Sequence, residues 1–142
     1  MSTRAIDALH DIHTATNDVL NGYREMAARA EPEIQTVIAR LTEMHLRHAS
    51  EQEAVLLRLR EAAIDDSSMQ GAVNKAVVIL RDWLSGLDRE SLPAVRMGEE
   101  SLLDEYKKAL ANLHAQDEPA VVELLTKQSA SIAAEISRLP KG

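Results

Sequence analysis

Apolar residues recur along this chain at alternating steps of three and four positions, which is the stripe of helices that pack against one another. The first stripe predicts a helix from about Thr3 to Arg29. A second stripe predicts a helix from Pro32 to about Ala62. The first stripe consists of Ile6, Leu9, His13, Thr16, Leu20, Tyr23 and Ala27. The second consists of Ile34, Ile38, Leu41, His45, His48, Gln52, Val55 and Leu59.

The turn before Pro32 is so short that the first two helices are expected to be antiparallel neighbours. Further along, Ser67 and Gln70 match a capping box, which predicts a shorter helix that ends near Gly86. Its apolar face is made of Val73, Ala76, Leu80, Trp83 and Leu87.

Two more long helices are predicted after this segment. One begins between Asp88 and Ser91, and the other is capped by Asp117, with Pro119 in its first turn. The third stripe is Leu92, Val95, Glu99, Leu102, Tyr106, Ala109 and Leu113. The fourth is Val122, Leu125, Ser129, Ile132, Ile136 and Leu139, with Gln128 and Glu135 at its edge.

We therefore expect one all-α domain over residues 1–142, with four long helices and an extra helix in the connection between the second and third. A helix of about 19 residues spans about 28 Å, enough to return the chain along the bundle. The second and third long helices would then be parallel, which is the ferritin-like four-helix-bundle arrangement. A five-helix up-and-down bundle is the competing topology.

Composition narrows the range of functions. A chain with 45% hydrophobic and only 2% aromatic residues favours a helical globular domain. The net charge of −7 disfavours binding to nucleic acid or to an anionic membrane surface. Without cysteine there is no thiol chemistry. No apolar run has the length of a signal peptide or a membrane span, so the expected location is the cytoplasm.

Polar residues interrupt the stripes near mid-bundle. Pairing across the turn at Pro32 places His13 level with His48, and Thr16 level with His45. If the third helix is parallel to the second, Glu99 lies near His45. Imidazole and carboxylate groups bind zinc, iron or manganese, so the candidate metal ligands are His13, His45, His48 and Glu99.

A metal-free interpretation stands beside this one, because buried polar residues also fix the register of packed helices. The second helix can also be rotated so that Met44 faces inward and His45 faces water. His10 and His114 lie outside the stripes and are expected at the surface. Tyr23 and Tyr106 are expected to pack in the core, each with its hydroxyl on a polar neighbour.

Two stretches carry a family resemblance: NGYREMA at residues 21–27 and MGEESLLDEYKKAL at residues 97–110. Together they resemble a bacterial family of ferritin-like four-helix bundles of unknown function, over almost the whole chain. Membership of the wider ferritin-like superfamily implies a di-iron or di-manganese site. In that site each of two helices contributes a Glu, and each of the other two contributes a Glu-x-x-His motif. This chain keeps Glu99 but has His45-Leu46-Arg47-His48 on the second helix and neither ligand type at Gln128.

The leading hypothesis is thus a non-catalytic ferritin-like bundle that binds at most one metal ion at mid-bundle. The resemblance alone suggests a stress-related role. One alternative is a metal-dependent oxidoreductase or a metal-storage protein with a divergent site. Another is a protein-interaction module that binds a second chain through the face bearing Trp83. A homodimer is the expected assembly.

Overall fold

The computed structural model describes residues 3–63, 92–113 and 118–139, and these form four α-helices. They are α1 (Thr3–Ala27), α2 (Pro32–Ala63), α3 (Leu92–Ala111) and α4 (Pro119–Ile136). The prediction of an all-helical domain with four long helices is confirmed for this part of the chain. The predicted helix within residues 67–87, the Asp117 cap and His114 lie outside the described residues. None of the described helices is long and apolar enough to cross a membrane.

A tight turn joins α1 to α2, as the sequence predicted. The amide of Arg29 donates to the carbonyl of Met26 at 3.0 Å, which closes the end of α1. Pro32 then opens α2, where its missing amide hydrogen and fixed φ suit the first helical position. With so few residues between them, the two helices pack along their length as antiparallel neighbours.

The C-terminal end of α4 is tied to the beginning of α3. The guanidinium of Arg96 donates from Nη1 to the carbonyl oxygens of Ile136 and Leu139, each at 2.8 Å. Ile136 is the last residue of α4 and Leu139 lies just beyond it, so these two bonds fasten the end of α4 to α3 and hold the two helices antiparallel.

Contacts between distant residues fix the directions of the helices. His45 meets Glu99 and Gln52 meets Tyr106, and both pairs are separated by the same 54 residues. A constant offset means that α2 and α3 run in the same direction. In the described residues, α1 packs chiefly on α2 and α3, and α4 packs on α2 and α3.

The buried faces agree with the predicted stripes on α2 and α3 but are rotated on α1 and α4. On α1, Ile12 and Met26 are buried, whereas His13 is half-buried and Ala27 is exposed. On α4, Gln128 is buried and Ser129 only half-buried. The rotation of α1 buries Ile12 and Met26 in place of His13 and Ala27. This is favourable because the free energy gained on burial grows with the apolar surface area that is removed from water.

Candidate functional site

A carboxylate lies at the centre of the bundle and contacts two helices besides its own. Glu99 on α3 has no solvent exposure. Tyr23 on α1 donates its hydroxyl to Glu99 Oε2 at 2.5 Å. His45 Nε2 on α2 lies 2.8 Å from the same oxygen and 3.1 Å from Oε1. Buried charges need such partners, because an isolated ionised carboxylate in the core is very unfavourable.

These contacts decide the orientation of His45. It has no solvent exposure, so the alternative rotation of α2 that turned this side chain toward water is wrong. A carboxylate oxygen accepts hydrogen bonds, so Nε2 of His45 carries the proton that it shares with Glu99. Its other ring nitrogen, Nδ1, is buried and has no hydrogen-bond partner among the described residues.

His48 lies one turn further along α2, with its ring edge-on to that of His45 and the ring centres 5.9 Å apart. Burial and, to a lesser extent, the neighbouring His45 together lower the pKa of His48 to about 4, so the imidazole is neutral at pH 7. Its Nδ1 is also buried without a hydrogen-bond partner in the described structure. His48 therefore offers a neutral nitrogen in the core.

A second polar layer lies next to this one and is made of uncharged groups. The side-chain nitrogen of Gln52 lies 2.9 Å from Tyr106 Oη, 2.9 Å from Gln128 Oε1 and 3.2 Å from Thr16 Oγ1. Tyr106 donates its own hydroxyl to Gln128 Oε1 at 2.9 Å. The layer thus links all four helices through hydrogen bonds.

The donor and acceptor of each hydrogen bond in this layer follow from the number of hydrogen atoms that each group can donate. Turning over the amide of Gln52 would bring its oxygen against Gln128 Oε1, where two acceptors would meet. Gln52 Oε1 therefore stays where it is, buried and without a partner among the described residues. The side-chain nitrogen of Gln128 donates hydrogen bonds to the backbone carbonyl of His48 at 3.2 Å and to Glu51 Oε1 at 2.9 Å.

Both core tyrosines are held as neutral phenols. Burial raises the pKa of Tyr23 well above 10, and the adjacent Glu99 carboxylate raises it further. Burial likewise raises the pKa of Tyr106, although hydrogen bonds from its neighbours oppose the shift. The prediction that each hydroxyl contacts a polar neighbour is confirmed, and each acts as a hydrogen-bond donor.

His13 lies outside the cluster, contrary to the predicted register. Its Nε2 is 3.0 Å from Glu53 Oε2, and that glutamate side chain is 62% exposed. Thr16 likewise meets Gln52 and not His45. Near mid-bundle α1 and α2 are therefore offset by more than one turn from the simple pairing across Pro32, and the rotation of α1 turns His13 to the edge. His10, expected at the surface, is half-buried.

Of the four predicted ligand residues, His45 contacts Glu99 and His48 lies one turn from His45 on the same helix, whereas His13 lies apart from them. Within residues 3–63, 92–113 and 118–139, no set of three or more His, Asp or Glu side chains converges on a point that would hold a metal ion. Gln128 was predicted at the edge of the apolar stripe of α4, but it is buried. Its burial could have been predicted from a stripe that starts one residue earlier, because Gln128 continues the steps of three and four made by Val121, Leu125 and Ile132.

The described residues form a bundle of four packed helices with a polar cluster buried at its centre. The chain matches a family model described as "Domain of unknown function (DUF2383)" over residues 4–112, and it belongs to that family. The comparison with curated proteins and the comparison with solved structures each found no match.

Proposed function

We propose that this protein is a ferritin-like four-helix bundle that binds a single metal ion at its centre, through His45, His48 and Glu99. The parallel direction of α2 and α3 supports the ferritin-like assignment, because it requires one long crossover. The metal proposal is carried by a different observation, the buried polar atoms that have no partner in the described core.

Three such atoms lie on the inward face of α2: Nδ1 of His45, Nδ1 of His48 and Oε1 of Gln52. Positions 45, 48 and 52 follow helical spacing, so the three side chains share one face. Buried polar atoms in native proteins nearly always have partners, and an orphaned atom calls for an ion or an ordered water. A neutral imidazole nitrogen and a carboxylate both donate lone pairs, so a metal ion held between His48 and Glu99 would satisfy the orphaned nitrogen of His48.

The dinuclear centre of the ferritin-like superfamily does not fit these residues. Two divalent ions need several carboxylates to balance their charge, and the described core contains one buried carboxylate, Glu99. The amide layer of Gln52 and Gln128 adds no charge. A single divalent ion with two neutral imidazoles and one carboxylate is a common combination in zinc and non-haem iron proteins.

The ligand pair His45 and Glu99 already has a suitable spacing. Two ligands at right angles on one metal lie about 3 Å apart, given bonds of about 2.1 Å. The nitrogen of His45 lies 2.8 and 3.1 Å from the two oxygens of Glu99. The proposal requires that Nε2 of His45 lose the proton that it shares with Glu99 and become the ligand atom, so that a metal ion would satisfy the orphaned Nδ1 of His48 but not that of His45. It also requires that the ring of His48 turn toward Glu99, since the three side chains do not yet converge.

The test is metal content and metal affinity in four proteins: the wild type, His48→Ala, Glu99→Gln and the matched control His13→Ala. Each is dialysed against chelator, checked for helical content by circular dichroism, and titrated with Zn²⁺, Mn²⁺ and, without oxygen, Fe²⁺. We expect about one ion per wild-type chain, retained by His13→Ala and lost from the other two. No stoichiometric binding by the wild type, or equal binding by His48→Ala, refutes the proposal.

The homodimer and the cytoplasmic location stay predictions from the sequence. Light scattering on the purified protein measures the first, and cell fractionation measures the second. Neither result bears on the metal site, whose proposed ligands all come from one chain.

A further inference from the structure

In the part of the chain that the structure describes, the buried core offers no fourth side chain to close the coordination of an ion held by the three proposed ligands. The other buried side chains with polar groups are Thr16, Tyr23, Gln52, Tyr106 and Gln128. Each hydroxyl among them donates to a partner, Thr16 to a carbonyl of its own helix and the tyrosines to Glu99 and Gln128. The amide of Gln128 is occupied at both its nitrogen and its oxygen. Metal centres with three protein ligands keep a position for an exchangeable molecule, whereas structural zinc centres are closed by four.

One oxygen atom of this core is left without a partner, Oε1 of Gln52. The side chain is completely buried, and Oε1 has no hydrogen-bond partner among the described residues. Its position is fixed, because the nitrogen of the same amide lies 2.9 Å from both Tyr106 Oη and Gln128 Oε1. Buried carbonyl oxygens in native proteins nearly always accept a hydrogen bond. Gln52 therefore presents a fixed acceptor inside the core.

The spacing between Gln52 and His48 suits a water molecule between this acceptor and an ion. The two residues are four positions apart on one face of α2, which is about 6 Å along the helix. Side chains lean toward the N-terminus of their helix, so Gln52 leans toward the turn that carries His48. A direct bond of about 2.1 Å between an ion on His48 and Oε1 does not fill this spacing. A water does, at about 2.1 Å from the ion and about 2.8 Å from Oε1.

We propose that an ion at the centre keeps one open coordination position, that a water molecule fills it, and that Gln52 Oε1 accepts a hydrogen bond from this water. The inference rests on the proposed function, because it concerns the same ion. It assigns the centre to the class that exchanges a small ligand, and not to the closed structural class. The position admits only water and small anions, because the side chains around it are buried. Gln52 is a positioning residue, since it acts on the water.

The test uses Co²⁺ as the ion and azide as the exchangeable probe, in the wild type, Gln52→Leu and the matched control Thr16→Val. Gln52→Leu removes the acceptor. Thr16→Val removes a contact of the same amide, 3.2 Å from its nitrogen, and leaves Oε1 in place. Each protein is stripped of metal with chelator, checked for helical content by circular dichroism, and titrated first with Co²⁺ and then with azide. Visible absorption reports both titrations.

We expect one Co²⁺ per chain in all three proteins, and a change in absorption as azide displaces the water. Azide accepts hydrogen bonds but donates none, so the acceptor on Gln52 favours water over azide in the wild type. Loss of this one hydrogen bond should make azide bind about fivefold more tightly to Gln52→Leu. Thr16→Val should bind azide with the affinity of the wild type.

The outcomes distinguish the open position from the metal site itself. A wild type that binds no Co²⁺ refutes the proposed function and this inference with it. One Co²⁺ per chain with a spectrum that azide does not change indicates a closed centre, and overturns this inference alone. Equal azide affinity in the wild type and Gln52→Leu, or the same increase in Thr16→Val, overturns the role of Gln52.

Discussion

The hydrogen bond between Tyr23 and Glu99 offers the most direct test of how the buried cluster is held together. Both side chains are completely buried, and the hydroxyl of Tyr23 lies 2.5 Å from Glu99 Oε2. Tyr23→Phe removes this hydroxyl and keeps the ring, which packs 6.2 Å from the ring of His45. Glu99→Gln keeps the shape of the side chain and removes its capacity to be ionised.

The expected effect follows from the type of bond. A hydrogen bond to a charged group contributes about 1.5 to 3 kcal/mol, so Tyr23→Phe should lower the free energy of unfolding by about 2 kcal/mol. The loss should be smaller when Glu99 is already Gln, because the bond is then between neutral groups. We expect a coupling of about 1 to 2 kcal/mol between the two substitutions, which is close to tenfold in the unfolding equilibrium.

The assay is urea unfolding followed by circular dichroism at pH 7 in chelator, for the wild type, both single variants and the double variant. The slope of the free energy of unfolding against urea concentration should be equal in all four proteins, so that their urea midpoints can be compared. Tyr106→Phe with Glu99→Gln is the control cycle, because Tyr106 donates to Gln128. If Tyr23→Phe and Glu99→Gln are additive within about 0.5 kcal/mol, the bond does not stabilise the fold as we infer.

Two further predictions concern the residues beside this pair. Gln52→Leu should lower the free energy of unfolding by about 1 to 2 kcal/mol, because Tyr106 and Thr16 lose a buried donor; an unchanged urea midpoint would contradict this. The pKa of His48 is about 4 in the folded chain and 6.5 when unperturbed, so the unfolded chain binds the extra proton first as pH falls. Metal-free wild-type protein should therefore lose up to about 3 kcal/mol more stability than His48→Gln between pH 7 and pH 4, and parallel losses would be inconsistent with a neutral buried His48.

Local sequence patterns were sufficient to locate the helices. Pro32 and Pro119 begin α2 and α4 as predicted, because proline suits the first helical turn and disfavours helix in the residue before it. The apolar stripes predicted for α2 and α3 match their buried faces, including Glu99, although the sequence left open whether His45 faces the core or water. Each of these inferences depends on residues within a few positions of one another.

Rotation and register between helices were harder to predict, and His13 shows why. It is adjacent to Ile12, so a rotation of one residue decides which of the two is buried. The turn at Pro32 fixes where α1 and α2 start to pair but not the offset that accumulates over several turns. Both quantities depend on side chains of the other three helices, which no local pattern contains. The same reason explains the misplacement of Gln128.

His48 is the point at which the two polar layers meet. On α2 it lies between His45, which contacts Glu99, and Gln52 of the uncharged amide layer, and its backbone carbonyl accepts a hydrogen bond from Gln128. The amide of Gln128 thereby connects α4 to the turn of α2 that carries the imidazole. Because the amide layer links all four helices, it restricts how far this turn can shift relative to Glu99. The uncharged layer therefore helps to set the distance between the neutral imidazole and the buried carboxylate.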